Sequence, residues 1–250
     1  MALKLGRYGS REIMDFQIFD FSTKKELMTI DYATSAQTEN TAETVYARGG
    51  SGNPRRIAWN GDKETTVTVE TQIFTMQHLA MLAGENIVTG ASEIYKREVL
   101  PVENGGIVTL SKTPIENEVA VYSFVNGILT DSLEVASVNG NEVKIATTPT
   151  VPEVEVYYRY EVSTAHKLSF TAKGFPPYVF LVGDTTYADE VSGGIAMAQL
   201  KYYKAKLQPN FTVTNAPSGD PSSLTLTFDI FPVKINGVDT LYDMTIYDDN

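Results

Sequence analysis

The chain predicts a mainly β fold, and three observations predict it. Short runs alternate apolar and polar residues at a period of two, as half-buried antiparallel strands do. Asn-Gly pairs and Gly-rich clusters separate those runs at roughly hairpin spacing. Only one stretch carries helical spacing. At 250 residues, the chain is long enough for one large β domain or a domain with an insert. A chain of this size buries roughly 70–75% of its unfolded surface, so core formation is not limiting.

The elements follow in order. Within Arg11 to Phe21, Ile13, Asp15, Gln17 and Phe19 alternate with Met14, Phe16 and Ile18. Lys24 and Lys25 mark a polar turn, and Leu27 to Tyr32 gives a second alternating strand. Tyr32 to Arg48 is rich in Thr, Ala, Glu and Asn and has few large apolar residues, so it reads as a polar arm that buries little alone. Such an arm touches something outside its own subunit or stays a loop. Gly49-Gly50-Ser51-Gly52-Asn53-Pro54 reads as a hinge. Arg56 to Trp59 and Thr66 to Glu70 read as two strands of a hairpin turned at Asn60-Gly61, since both turn residues tolerate positive φ. Thr71 to Ala83 is the helix, with Ile73, Met76, Ala80 and Leu82 inward, Gln72, Gln77 and His78 outward, and Gly84 as its stop.

From Ser92 to Val162 a separate small β unit is expected. Asn104-Gly105-Gly106, Asn126-Gly127 and Asn139-Gly140 are its turns. Ile107 to Leu110, Val119 to Val125, Val135 to Val138, Val143 to Ile145 and Val154 to Glu161 are its strands. After it, Leu168 to Ala172, Tyr178 to Val182, Ile195 to Leu207 and Phe211 to Thr214 read as strands. Gly183-Asp184-Thr185 and Ala216 to Pro221 read as turns. The cleanest alternation places Leu224, Leu226, Phe228 and Ile230 on one face, and Tyr242 to Tyr247 closes the chain.

Composition narrows the function. A net charge of −11 opposes broad gripping of nucleic acid, which needs Lys and Arg against phosphates. Without cysteine there is no disulfide or thiolate metal site. The first residues lack the apolar core of a secretion signal, and no run approaches the ~18 apolar residues of a membrane helix. His78 and His166 stand far apart and read as surface or helix-face residues. Asp248 and Asp249 read as a solvated terminus rather than a cation site. Gly49 to Gly52 lacks the Lys-Ser/Thr ending of a phosphate loop, and Ser51 sits in no nucleophile elbow. No catalytic, cofactor-binding or metal residues emerge. Arg48, Arg55 and Arg56 form the one compact basic group, either a solvated shoulder or a contact to an acidic neighbour. Tyr157, Tyr158 and Tyr160, or Tyr202 and Tyr203, form either a sugar platform or ordinary strand alternation.

The run Ala47 to Pro54, then Trp59, Asp62-Lys63-Glu64 and Val67-Thr68-Val69, then the helix to Leu82-Ala83-Gly84, resembles the tail tube (major tail) proteins of long-tailed bacteriophages. Pro209 to Val213, Ser218-Gly219-Asp220-Pro221, the strand Leu224 to Ile230 and the opening Asp15 to Asp31 agree with that family. The resemblance covers roughly 10–90 and 165–248. It implies a tail-tube-like β-sandwich or barrel with one flanking helix, divided as 1–91 and 164–250, around an inserted Ig-like β domain at 92–163 that would project outward. It further implies hexameric rings stacked into a tube whose acidic channel passes DNA without specific binding. Implied partners are further copies of the chain, an initiator, a terminator and, in a contractile tail, a sheath. The implied location is the virion tail, reached through assembly in the host cytoplasm, without membrane contact or cofactor. The arm would order on a neighbour, with Arg48, Gly49, Gly50, Gly52, Asn53, Arg55 and Arg56 as inter-subunit contacts. Two other readings remain open: another virion β protein (a capsid decoration protein or tail terminator), and a carbohydrate-binding module using Tyr157, Tyr158 and Tyr160.

Overall fold

The computed structural model describes residues 6–191, 193–213 and 221–248. The expected turn at Ala216 to Asp220, Thr214 and the terminal Asp249 lie outside the described residues. The chain divides into two compact units, Met1–Ile87 with Leu168–Asn250, and Val88–Lys167.

Nine strands and the helix build the sheet and core of the first unit: β1 (Tyr8–Gly9), β2 (Asp15–Asp20), β3 (Glu26–Ile30), β4 (Ala33–Arg48), β5 (Arg55–Thr71), α1 (Met76–Ala83), and, after the second unit, β13 (Tyr178–Asp189), β14 (Ile195–Leu207), β15 (Leu224–Ile230) and β18 (Tyr242–Tyr247), while β16 (Val233–Ile235) pairs only with β17 (Val238–Thr240). The main sheet has nine strands, with path order β3-β2-β13-β14-β15-β5-β4; β1 joins the far end of β13, and β18 pairs β14 beside β15. All pairings are antiparallel. Its core face carries Phe16, Ile18, Val67, Val69, Leu181, Tyr202, Leu226 and Phe228, and the helix adds Met81 and Leu82. The period-two pattern of β15 thus reads directly as burial, because Leu224, Leu226, Phe228 and Ile230 are all buried.

Several local expectations change. The helix begins at Met76 rather than Thr71. Thr71 still belongs to β5, paired with Leu224 and Ala33, and its hydroxyl accepts from the Ile73 amide at 3.1 Å. The helix starts only where Thr75 can cap it: the Thr75 hydroxyl accepts from the His78 amide, and His78 Nδ1 accepts from the Thr75 amide at 3.1 Å. This reciprocal cap satisfies two backbone donors and buries His78, which was expected to face outward. Gly84 ends the helix at φ +64°, where a Cβ would lie 2.3 Å from the Phe175 carbonyl oxygen.

Asn60-Gly61 is not a turn. β5 runs straight through it, neither residue has positive φ, and the register slips by one residue opposite Glu43. The pair is a β-bulge inside one long strand. Gly183-Asp184-Thr185 also lies inside a strand, β13. Gly183 is there because Met14 Sδ would sit 2.3 Å from an added Cβ. Leu168–Ala172 and Phe211–Val213 are not strands. Conversely, Asn236-Gly237, at φ +51° and +82°, does turn the small hairpin between β16 and β17.

In the second unit, β6 (Val88–Pro101), β12 (Glu153–Lys167), β8 (Val119–Val125) and β9 (Ile128–Leu133) form one sheet in that order. β10 (Val135–Asn139), β11 (Glu142–Ile145) and β7 (Ile107–Thr109) form the other. Val108, Val121, Val143, Ile145, Val154, Val156 and Tyr158 share the core between them. Glu155 points to the opposite face from Val154 and Val156, yet it is 1% exposed, because Arg97 and Tyr157 both donate to its carboxylate. Those donors hold its pKa below the ordinary range. Glu98 accepts from Lys96 at 2.8 Å, from the Tyr158 hydroxyl at 2.8 Å and from Ser111. Partial burial pushes its pKa up, but the Lys96, Ser111 and Tyr158 donors outweigh that and bring it to about 2.

Two outcomes follow for stability. Thr75→Ala removes the cap and lowers unfolding free energy by about 1 kcal/mol, read by denaturant titration; an unchanged midpoint would show that the cap contributes nothing. For Glu98, a folded pKa below the free value of 4.5 means that its stabilisation is complete above pH 4.5 and lost as pH falls toward about 2. The excess in melting temperature of the wild type over Glu98→Gln should therefore shrink as pH falls across that window, and a constant excess would contradict it.

Candidate functional site

β4 and β5 form a hairpin that outgrows its own core. Their pairing runs from Ala33↔Thr71 to Arg48↔Arg55. At the base the hairpin is tied down. Thr38 and Tyr202 share a 2.6 Å hydroxyl hydrogen bond, Thr65 donates to Asn40 at 2.7 Å, and Asn40 donates to the Tyr242 hydroxyl at 3.1 Å. Burial pushes the Tyr202 hydroxyl up to about 12, so it stays protonated at any physiological pH. Beyond Thr65 the support ends, and Arg55 to Glu64 are all exposed. At roughly 3.3 Å per residue this free part extends about 30 Å.

The residues read as a hinge and as contact candidates occupy the tip. Gly50, Gly52 and Asn53 turn the chain at φ +88°, +80° and +48°. The Gly49 amide donates to the Pro54 carbonyl at 3.3 Å, and the Asn53 amide to the Gly50 carbonyl at 3.0 Å. Arg56 Nε donates to the Gly49 carbonyl at 3.1 Å, while the Arg55 guanidinium lies 4.1 Å over the Tyr46 ring. Arg56 is thus partly spent on holding the turn, and Arg48 and Arg55 are cross-strand partners at its mouth. The stretch is a closed turn on two continuous strands, not a flexible arm leading to a hairpin, because β4 pairs along its whole length and needs no apolar side chains to do so.

Sequence reasoning missed a second feature of this hairpin. Register places Val45 opposite Trp59 and Ala47 opposite Ile57, so these four share one face. Val45 is 57%, Ile57 54% and Trp59 52% exposed. Large apolar residues gathered on one face of an unsupported hairpin are the pattern of a surface built for contact. The signal was present as an apolar residue every second position on both strands; the misplaced turn at Asn60-Gly61 put the two halves out of register.

Other candidates separate. The alternation of β12 sends Tyr157 to the face opposite Tyr158 and Tyr160, and Tyr158 is buried, so the three tyrosines form no common platform. Tyr202 is likewise buried while Tyr203 faces the other way and donates to Asp243. His78 lines a groove of about 410 Å³ with β3 and the start of α1, but its Nδ1 is taken by Thr75 and its Nε2 lies 3.3 Å from the Thr29 carbonyl. His166 sits 2.9 Å from the Thr89 hydroxyl. Among the described residues, no group of three or more His, Cys, Asp or Glu could hold a metal ion, and no helix is long and apolar enough to cross a membrane.

The hairpin stripe gives a direct optical test. Trp59 is the only tryptophan. Its emission should be that of a solvated indole in the dissociated protein and should shift to the blue on self-association. Association without a shift would mean that this face stays wet.

The family model described as the YomU/Tube protein family matches residues 10–242, running through both units. No curated protein matches the chain.

Proposed function

The chain belongs to the YomU/Tube protein family, a family of phage tube structural proteins, and from that membership we propose that it polymerises as stacked hexameric rings into the tail tube and lines the channel for DNA ejection. One observation supports this reading above the rest: the long hairpin of β4 and β5 carries exposed Val45, Ile57 and Trp59 well past the core that anchors it. A lone subunit gains nothing by holding such a stripe in water; a neighbour that covers it does.

The sheet supports the same conclusion. β3 and β4 end the strand path of the main sheet. Each carries backbone donors and acceptors on its outer side, and pairing such edges around a closed ring satisfies them. A ring also leaves two unlike ends, and unlike ends stack without closing, which produces a tube. Arg48, Gly49, Gly50, Gly52, Asn53, Arg55 and Arg56, at the hairpin tip, are the residues that meet the next subunit, with the arginines set against carboxylates. The net charge of −11 suits a channel that must not hold DNA. Further partners are the tail initiator, the terminator and a sheath where the tail contracts; the protein resides in the virion tail after assembly in the host cytoplasm. The Val88–Lys167 unit acts as an inserted domain. A carbohydrate-binding role for Tyr157, Tyr158 and Tyr160 loses its basis, since they do not share a face.

Negative-stain electron microscopy of the concentrated protein, with virion tails alongside, tests this. Hollow tubes of stacked six-fold rings are expected. A variant with Val45 to Trp59 replaced by a two-residue Asn-Gly turn should keep the melting transition of the wild type and form no tubes. Tubes grown by that variant would remove the hairpin from the assembly, and tails whose tube lacks this protein would end the reading.

A further inference from the structure

The groove between β3 and α1 lies at the base of the β4–β5 hairpin, at the end opposite the tip. Tyr32 stands just before Ala33, the first paired residue of β4, and Ile73 stands two positions after Thr71, the last of β5; both line the groove. Leu27, Tyr32 and Ile73 are exposed there and leave apolar surface in water. A second hollow of about 390 Å³ continues the first along α1, sharing Leu27, Met28 and Gln77 and reaching exposed Phe175. The reciprocal cap of Thr75 and His78 fixes the helix wall, and His78 Nε2, 3.3 Å from the Thr29 carbonyl, sets that wall against β3. The groove is therefore preformed.

Tip and groove are unlike in charge. From Thr44 to Trp59 the hairpin carries three arginines and neither lysine nor carboxylate. None of the three forms an ion pair among the described residues. The two hollows are lined by Glu26, Asp31 and Glu85, and by no lysine or arginine. Lys25 adjoins Glu26 and offsets that end, while Lys24 turns to the other face of the sheet, over the Phe180 ring. The Asp31 end gathers negative charge: burial, then the charges of Asp31 and Asp184, raise the pKa of Asp15.

We propose that the hairpin tip of one subunit seats Ile57 and Trp59 in the β3–α1 groove of a second copy, with its arginines facing Asp31. This docking rests on the reading of the chain as a self-assembling tube subunit and names the surface that receives the hairpin. A subunit cannot fill its own groove, because the 16 residues of β4 hold the tip about 50 Å from the base. A second copy displaced by about that length along the ribbon can, since its base then stands at the first copy's tip. Each copy has one tip and one groove, so the contact is heterologous and repeats from copy to copy. The apolar stripe leaves water where it meets Leu27, Tyr32 and Ile73, and the opposite charges orient it.

Charge reversal at each side tests the docking by sedimentation velocity of the full chain. Asp31→Arg in the groove and Arg48→Glu/Arg55→Glu at the tip, each alone, should raise the concentration for half-assembly at least about tenfold. Asp31→Arg should also abolish the blue shift of Trp59, which it does not touch within its own subunit. Mixed in equal amounts the two variants should co-assemble, because each tip then meets a groove of opposite charge. Where the purified chain stays dispersed, the same variants are scored, singly and together, by incorporation into virion tails. Variants that both match wild type, or that both fail and are not restored by mixing, would overturn the docking and leave the tube reading standing. A tip variant that loses binding to a single-stranded oligonucleotide while assembling like wild type would assign the arginines to nucleic acid and overturn it as well. Wild-type protein that neither assembles nor occurs in tail tubes would remove both readings. Should Asp31→Arg lose its melting transition, Asp31→Asn replaces it, and wild-type assembly with a full Trp59 shift would overturn the contact.

Discussion

Backbone pairing between β4 and β5 continues long after the side chains beneath it have run out of core, and the rest of the molecule is arranged around that fact. Antiparallel hydrogen bonding is indifferent to side-chain polarity, so Thr, Glu and Ala can sustain it as well as Val. An isolated two-stranded ribbon is only marginally stable in water. This one is held because its base is clamped to β14, β15 and β18, with Tyr202 buried beneath Thr38 and Asn40 bridging Thr65 to Tyr242. The nine-stranded sheet and the helix packed on it therefore serve as a rigid mount. What the mount presents is a ribbon rich in donors, acceptors and exposed apolar area.

Much of the fold could be read from the chain because side-chain period and burial coincide. β15 is the clearest case, and the turns expected at Asn126-Gly127 and Asn139-Gly140 do occur, with positive φ at Asn126, Gly127 and Gly140. The errors have one physical source: the same residues serve different backbone purposes. Asn60-Gly61 makes a bulge while Asn236-Gly237 makes a turn, and nothing local separates them. What separates them is whether the flanking strands pair with each other or with a third strand. Gly183 looks like a turn glycine in sequence, but it is a packing glycine set against Met14. The helix start moved because Thr71 had a better use in the sheet than in the first turn of α1.

The candidate surfaces were less legible than the fold. The arginines at the tip were visible as a cluster, but that Arg56 is occupied by the Gly49 carbonyl depends on the turn being closed. The stripe of Val45, Ile57 and Trp59 requires the register, since no two of its strands' residues are adjacent in sequence.

One feature of the second unit bears on how such a chain diversifies. Lys167 is the cross-strand partner of Val88, so the polypeptide leaves and re-enters the first unit through two neighbouring strands. The first unit sees this whole unit as if it were a single loop with closely spaced ends. Loop closure entropy grows only slowly with length, so the scaffold is nearly indifferent to what is spliced there. A lineage can exchange, enlarge or discard that cargo without renegotiating the register of any strand in the main sheet, and the same junction offers a natural position for display of a foreign domain.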